Sequence, residues 1–294
     1  MILGVSDIGF RVSFSEACRL IERFWNLGGR EFDTAHTYAH WVPGMLGSSE
    51  KTLGAVLRTV GAPPAEARIL TKGGHPDGGP AYPRPKRYLD PDLVRRDLQE
   101  SLERLQTDRV DTYLLHRDDP SVPIAEIAGL FEELLAKGLV GRAGVSNWSR
   151  DRTAALRTAL RAPIAWQNQG SLAVPNWVET PDPTVRRFRA GDFEWAAEND
   201  VVCACYSSTS NGYFATGNAS AFDGPESAAR LERARALAEA KRATPTQIAL
   251  AWLLAQPGDV RPIVGTLNTA HLEEAMAARA IVLTPAERDA LGKA

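Results

Sequence analysis

Four residues of complementary chemistry stand at the ends of short apolar runs in this chain. Asp33 closes Arg30-Glu-Phe-Asp33, and Tyr38 follows five residues later in Thr-Ala-His36-Thr-Tyr38. Lys72 closes Arg68-Ile-Leu-Thr-Lys72, and His116 closes Val110-Asp-Thr-Tyr-Leu-Leu-His116. A phenol with an ordinary pKa of about 10 is a reluctant acid at neutral pH. An adjacent ammonium stabilises the phenolate and eases proton release, and a carboxylate holds the ammonium while compensating its burial. A histidine can orient a substrate oxygen by hydrogen bond. Such a set suits one reaction in particular, the delivery of a hydride to a carbonyl carbon and a proton to the developing alkoxide. Taken singly, each residue has a blander reading: a lysine after a strand is usually solvated, and Asp-Thr is often a cap. The reading rests on all four falling at or just past the ends of three successive strands that point the same way.

A parallel β/α barrel would do that, because the C-terminal ends of all its strands open on one face. The chain alternates accordingly. A first strand falls within Met1–Ser6, a helix at Phe14–Leu27 and a strand at Glu31–Thr34. A helix from Ser48/Ser49 to about Val60, a strand at Arg68–Thr71 and a helix from Asp90-Pro91 to Leu105 come next. Pairs of strand and helix continue at Asp111–Leu115 and Ile124–Lys137, Val140–Val145 and Asp151–Leu160, Ile164–Gln167 and Phe193–Asn199. Val201–Tyr206 is followed by an extra helix at Leu231–Lys241 and its own at Thr246–Ala255; Pro262–Val264 and Thr269–Ala278 close the cycle. Eight strand–helix units spaced roughly 30 to 40 residues apart predict a (β/α)8 TIM barrel, a single domain over residues 1–294. An open doubly wound sheet is disfavoured because no Gly-x-Gly-x-x-Gly turn follows a strand. Gly170–Asp192 and Ser207–Arg230 read as long loops on the catalytic face.

Composition narrows the function classes. The 294 residues are 44% hydrophobic and 24% charged, with a net charge of −2, so neither nucleic acid nor an anionic membrane is generally attracted. No apolar run approaches the ~20 residues of a membrane helix, and the first thirty residues lack a secretory pattern. The three cysteines, Cys18, Cys203 and Cys205, are too few and odd for a disulfide framework and fit a reducing compartment, so a cytoplasmic protein is expected. Cys203 and Cys205 lie within an apolar run and read as core residues rather than as metal ligands.

Several ordered motifs resemble the aldo-keto reductase family. The stretch from Gly29 to Tyr38 is similar to its Gly…Phe-Asp-Thr-Ala-x-x-Tyr pattern. Ser49-Glu50 with Leu53-Gly54, Leu70-Thr-Lys72, Asp97 to Leu105 followed by Val110 to His116, and Gly141 to Asn147 resemble its later segments in order. The resemblance runs from about residue 28 to 279. It implies a catalytic set of Asp33, Tyr38, Lys72 and His116. It also implies that Ser146, Asn147 and Gln169 hold a nicotinamide carboxamide, that Tyr206 stacks on its ring, and that Gly265, Thr266, Asn268, His271 and Glu274 contact the adenosine half of NADP. Anion binding at the start of the Thr269 helix makes physical sense. Between Gly265 and Glu274, however, no lysine or arginine is present to pair with a 2′-phosphate, and only His271 could carry charge. NADPH is the expected cofactor, with NADH open. The N-terminal hairpin that often plugs the barrel floor in the family is expected to be missing or truncated.

The same residues admit other readings. His36, His40, His75 and His116 could form a metal set, but Asp33 to Pro43 reads as loop rather than helix and offers no second acidic ligand; no metal is expected. The fold could instead carry an NADP(H)-binding sensor or regulatory subunit, against which the intact set of four residues argues. Trp41, Trp148 and Trp177, with His40, His75, Arg117 and Asp118, fall in the mouth loops. Trp41 and Trp148 are the expected pocket walls, and the mix of aromatic and polar groups suggests a small carbonyl compound such as a keto-sugar or a secondary-metabolite carbonyl.

Overall fold

Eight parallel strands pair in chain order and close into a barrel. They are β1 (Ile2–Gly4), β2 (Glu31–Asp33), β3 (Arg68–Gly73), β4 (Thr112–Leu115), β5 (Ala143–Ser146), β6 (Ile164–Gln169), β7 (Val201–Tyr206) and β8 (Val260–Gly265). The computed structural model describes residues 1–63, 65–80, 82–176 and 185–293. Eleven α-helices fall among them. These are α1 (Phe14–Asn26), α2 (Ser48–Thr59), α3 (Pro91–Leu105), α4 (Ile124–Ala136), α5 (Arg150–Ala159) and α6 (Asp192–Glu198), then α7 (Tyr213–Thr216), α8 (Pro225–Lys241), α9 (Pro245–Leu254), α10 (Thr269–Ala277) and α11 (Pro285–Gly292). None is long and apolar enough to cross a membrane.

The chain divides into two compact units. The larger holds Ile2–Gln167 with Gly265–Leu267. Within it β1 to β6 form a parallel ladder in which Gly4 pairs with Asp33, Asp33 with Leu70, Lys72 with Leu114, Leu115 with Val145 and Ser146 with Gln167. Helix α1 shows how the sequence encodes the packing. Ser13 caps it with a reciprocal bond to Glu16, and Ala17, Leu20, Ile21 and Phe24 recur at helical spacing and are the residues it buries. Helix α3 starts with Asp90 as cap and Pro91 in the first turn, where its missing N–H costs nothing. It lies close to α2, because a Cβ built on Gly54 would sit 2.4 Å from the Leu105 carbonyl oxygen.

The smaller unit holds Met1, Asn168–Val264 and the chain from Asn268 on. Its core gathers Tyr213, Phe214 and Phe222 with Leu231, Ala234 and Ile248 on α8 and α9. Cys203 and Cys205 are unpaired and buried, and burial pushes both thiols up, so they behave as small core residues. Three features depart from the sequence expectation. Helix α8 starts at Pro225 rather than Leu231, so part of the expected Ser207–Arg230 loop is helix: Pro225 is a first-turn proline, and the Glu-Ser-Ala-Ala that follows is helix-compatible. The same segment also holds the short α7. Helix α11, capped reciprocally by Thr284 and Glu287, lies beyond the last expected helix. Trp177 and the loop around it lie outside the described residues.

Candidate active site

The strands that position the site are buried along almost their whole length, yet they end in polar side chains. Asp33, Lys72, Ser146 and Gln167 are each at most 3% exposed. Such groups persist in a core only when hydrogen-bonded or paired. Each of them is. The Lys72 ammonium donates to Asp33 Oδ2 at 2.9 Å, to the Thr34 carbonyl at 2.7 Å and to Tyr38 Oη at 2.9 Å. Its three protons are thereby used. Asp33 is held on its other side by Gln167, whose Nε2 donates to Oδ1 at 2.7 Å.

Tyr38 reaches Lys72 because the chain after β2 continues along β3 before turning back. Thr34 N–H donates to the Leu70 carbonyl and His36 N–H to that of Lys72, each at 2.9 Å. A buried polar network then fixes the turn. His36 Nε2 meets Glu100 Oε2 at 2.8 Å, Arg104 donates to the His36 carbonyl and to Glu50, and Thr71 donates to Glu50 at 2.6 Å. Gly47 N–H closes the loop on the Tyr38 carbonyl.

His116 follows β4, with its N–H bonded to the Gly73 carbonyl at 2.8 Å. Its ring stands edge to face with Tyr38, the centroids 5.8 Å apart. From Gln167 a line of contacts leads back to it: Ser146 Oγ donates to Gln167, Asn147 Nδ2 to Ser146 Oγ, and Asn147 Nδ2 also to the His116 carbonyl. Asn147 adopts a φ of 62°, a left-handed conformation that asparagine tolerates better than most residues.

The electrostatics follow from these contacts. Burial pushes the His116 imidazole well below its ordinary range, reinforced by His75, Arg117 and Lys72, so the ring is neutral. Burial also dominates at Tyr38 and raises its phenol. The Lys72 ammonium works against that rise, and Asp33 adds to it. For Lys72, burial favours the neutral amine, but Asp33 and Tyr38 outweigh it and hold the ammonium. The resting site therefore stores a protonated phenol beside a charged lysine rather than a phenolate.

The larger unit thus brings Asp33, Tyr38, Lys72, His116, Ser146 and Asn147 into one bonded cluster, with Gly265 and Thr266 in the same unit. Trp41 is 55% exposed, edge to face with both Phe10 and His40. Trp148 is fully buried, under the Arg152 guanidinium. In the smaller unit, Gln169 donates to Ser171 Oγ at 2.8 Å, and Tyr206, half-buried at the end of β7, donates to the Arg186 carbonyl. Asn268 caps α10 through the Ala270 N–H, and His271 is exposed on the first turn of that helix. Glu274 is engaged from α9, by the Thr244 hydroxyl at 2.5 Å and by Gln247 at its carbonyl.

Gln167 is a supporting residue that the sequence reading did not single out, and Glu50, Glu100 and Arg104 fell within motifs of the family resemblance but were given no role there. Gln167 had a signal: it stands two places before Gln169, hence on the same face of β6. The partners on α3 had none, since a charged helical residue usually faces water. Among the described residues no group of three or more histidines, cysteines or carboxylates is placed to hold a metal ion. His40, His75 and His116 instead meet ring to ring, at 5.8 and 4.7 Å between centroids.

The closed parallel barrel carries a lysine, an aspartate, a tyrosine and a histidine at or just beyond its strand ends, and comparisons with known proteins show its family. The family model for the aldo/keto reductase family matches residues 1–294, and the chain belongs to that family. A Mycobacterium tuberculosis protein named as an uncharacterized oxidoreductase is 32% identical over 96% of this chain and 83% of its own length. A Schizosaccharomyces pombe aldo-keto reductase named with NADP(+) is 26% identical over 89% of this chain and 77% of its own. Among solved structures, the thermostable aldo-keto reductase Tm1743, solved with the inhibitor epalrestat, superposes with a TM-score of 0.76 at 25% identity. That match covers 99% of this chain and 93% of Tm1743. Carbonyl reduction with a nicotinamide cofactor is therefore the general activity of this chain's family.

The residues fit such a cofactor. Ser146 and Asn147 are buried polar groups able to bond a carboxamide. Gly265 is exposed, and a Cβ built there would meet nothing within 4 Å. The first turn of α10 offers an anion the positive end of a helix but only His271 as a side-chain cation.

Proposed function

We propose that the chain, acting as a single domain over residues 1–294, is an NADP(H)-dependent reductase of a small aldehyde or ketone, working in the cytoplasm, with Tyr38 as proton donor. The observation that carries this reading is the three-way bonding of Lys72 to Asp33, Thr34 and Tyr38 in a buried site. When bound, the reduced nicotinamide supplies the hydride to the carbonyl carbon. His116, neutral and edge-on to Tyr38, donates a hydrogen bond to the carbonyl oxygen and orients it. Tyr38 passes its proton to that oxygen as negative charge develops there. Lys72 stabilises the phenolate left behind, and Asp33, steadied by Gln167, keeps Lys72 charged and in place. In the reverse direction the phenolate accepts the alcohol proton.

Ser146, Asn147 and Gln169 are assigned to the carboxamide, and Tyr206 to the ring. Gly265, Thr266, Asn268, His271 and Glu274 go to the adenosine half. The name of the fission-yeast relative supports NADP, and the lack of lysine or arginine between Gly265 and Glu274 keeps NADH in the test. Trp41 is assigned to the pocket wall, whereas Trp148, fully buried, presents no surface to a substrate; the histidines beside Trp41 favour a polyhydroxylated substrate such as a keto-sugar. Fluorescence titration with NADPH and NADH, followed by a carbonyl panel in the same cuvette, tests the reading. Binding with cofactor consumption is expected. Tight binding without consumption of any carbonyl would overturn it in favour of a binding module.

A further inference from the structure

A cavity of about 890 Å³ opens within the smaller unit, lined from α6, α8, α11, the C-terminal end of α9 and the segments around Ser171 and Phe188. That size falls in the roughly 300–1,000 Å³ range of small-molecule sites. Two chemistries meet in its lining. Phe188 and Phe193 pack with ring centroids 4.9 Å apart, and Trp252 adds a third aromatic surface. Arg187 and Arg230 bring guanidiniums to the same cavity.

The two cations are held in different ways. Arg230 Nη1 donates to the Leu172 carbonyl and Nη2 to the Gly292 carbonyl, each at 2.8 Å, and Nη2 also pairs with Glu226. Those bonds fix the guanidinium but leave its buried Nε–H without an acceptor. Burial holds this group below its ordinary range; Glu226 opposes that, and Arg233 and Arg187 reinforce it. In Arg187 the backbone is fixed and the side chain is not. The residue bridges to Gln169 of β6, and the next N–H, that of Phe188, donates to the Gln169 carbonyl at 2.8 Å. Its guanidinium has no hydrogen bond or ion pair among the described residues. Glu194 also lines the cavity, yet it pairs with neither arginine among those residues.

Like charges that share a cavity beside aromatic rings cost free energy until an anion joins them. A guanidinium takes a carboxylate through charge-assisted N–H donors, and a flat apolar body suits an aromatic wall. We infer that this cavity binds an organic carboxylate with an aromatic body, its anion held by Arg187 and Arg230 and its ring packed against Phe188, Phe193 and Trp252. The inference does not rest on the reductase reading, since none of these five residues takes part in the carbonyl chemistry. Gln169, assigned above to the carboxamide, also lines the cavity, so the test has to separate this site from the cofactor's.

Isothermal titration with naphthylacetate and with naphthylethanol, its neutral counterpart, does so when run without and with saturating NADP+. The wild type should bind the acid saturably in both conditions. It should also bind the acid roughly tenfold more tightly than the alcohol, the usual worth of a hydrogen bond to a charged group. Arg187→Gln should erase that preference by weakening the acid alone, and Arg187→Lys should restore part of it. Phe188→Ala should weaken both probes. Equal affinity for acid and alcohol, or an acid affinity unmoved by Arg187→Gln, would overturn the inference. So would displacement of the acid by NADP+, which would make the cavity part of the cofactor site. The Arg187 side chain bonds no described residue, so its variants should fold; should Phe188→Ala fail to fold, the Arg187 pair decides.

Discussion

Replacing Lys72 with methionine should separate what the lysine does for stability from what it does for turnover. The substitution keeps an unbranched apolar chain but strips the charge from a site where Lys72 is 1% and Asp33 3% exposed. Asp33 then retains the Gln167 bond on Oδ1 and loses its cation. Leaving one member of a buried pair uncompensated costs about 3–5 kcal/mol. At about 2–4 °C per kcal/mol, Tm should fall by roughly 6–20 °C. Turnover should fall by roughly 10²–10³-fold, the usual cost of one lost electrostatic stabiliser. Adding Asp33→Asn removes the stranded charge. The double variant should recover at least half of the lost Tm and none of the lost turnover, since the two residues are coupled through direct contact. Thermal unfolding and cofactor consumption, read on the wild type, both singles and the double, complete the cycle. If Lys72→Met matched the wild type in both readouts, or if the double regained turnover, the roles assigned to the pair would be wrong.

Three further outcomes follow from the structure. Reduction needs Tyr38 protonated and His116 neutral; with the phenol raised and the imidazole well lowered, kcat/KM should be flat through neutral pH and fall only on the alkaline side as Tyr38 ionises. A limb centred near 6.5 in the reductive profile would contradict that assignment. The folded-state pKa of His75, depressed to about 4 from 6.5, means the unfolded chain binds the proton more readily; Tm should hold above about 6.5 and decline as pH drops towards 4. Gly54→Ala should destabilise even though alanine is the better helix former by about 1 kcal/mol. Its Cβ would lie 2.4 Å from the Leu105 carbonyl oxygen and force α2 and α3 apart, which thermal unfolding would register.

The barrel was legible because its strand–helix alternation is punctuated by residues with a single physical meaning. Ser13, Asp90-Pro91 and the Thr246 helix start fall within a residue or two of the observed ends. The start of α8 was not, because Pro225 looks alike as a loop residue and as a first-turn residue. Asp33, Tyr38 and Lys72 could be grouped from strand-end positions alone, since a parallel barrel sends those ends to one face. The support beneath them could not. Glu50, Glu100 and Arg104 carry charges that a sequence assigns to the surface, and only the folded chain shows that they pin the His36 turn.

The most direct measurement of the proposed chemistry is single-turnover reduction by Tyr38→Phe with saturating cofactor, beside an equilibrium titration of the same variant. The phenyl ring preserves the edge contact with His116 and removes only the hydroxyl that Lys72 bonds. If Tyr38 is the proton donor, cofactor affinity should stay within about twofold while reduction slows by roughly 10²–10⁴-fold. Reduction at a rate close to that of the wild type would show that the proton comes from elsewhere.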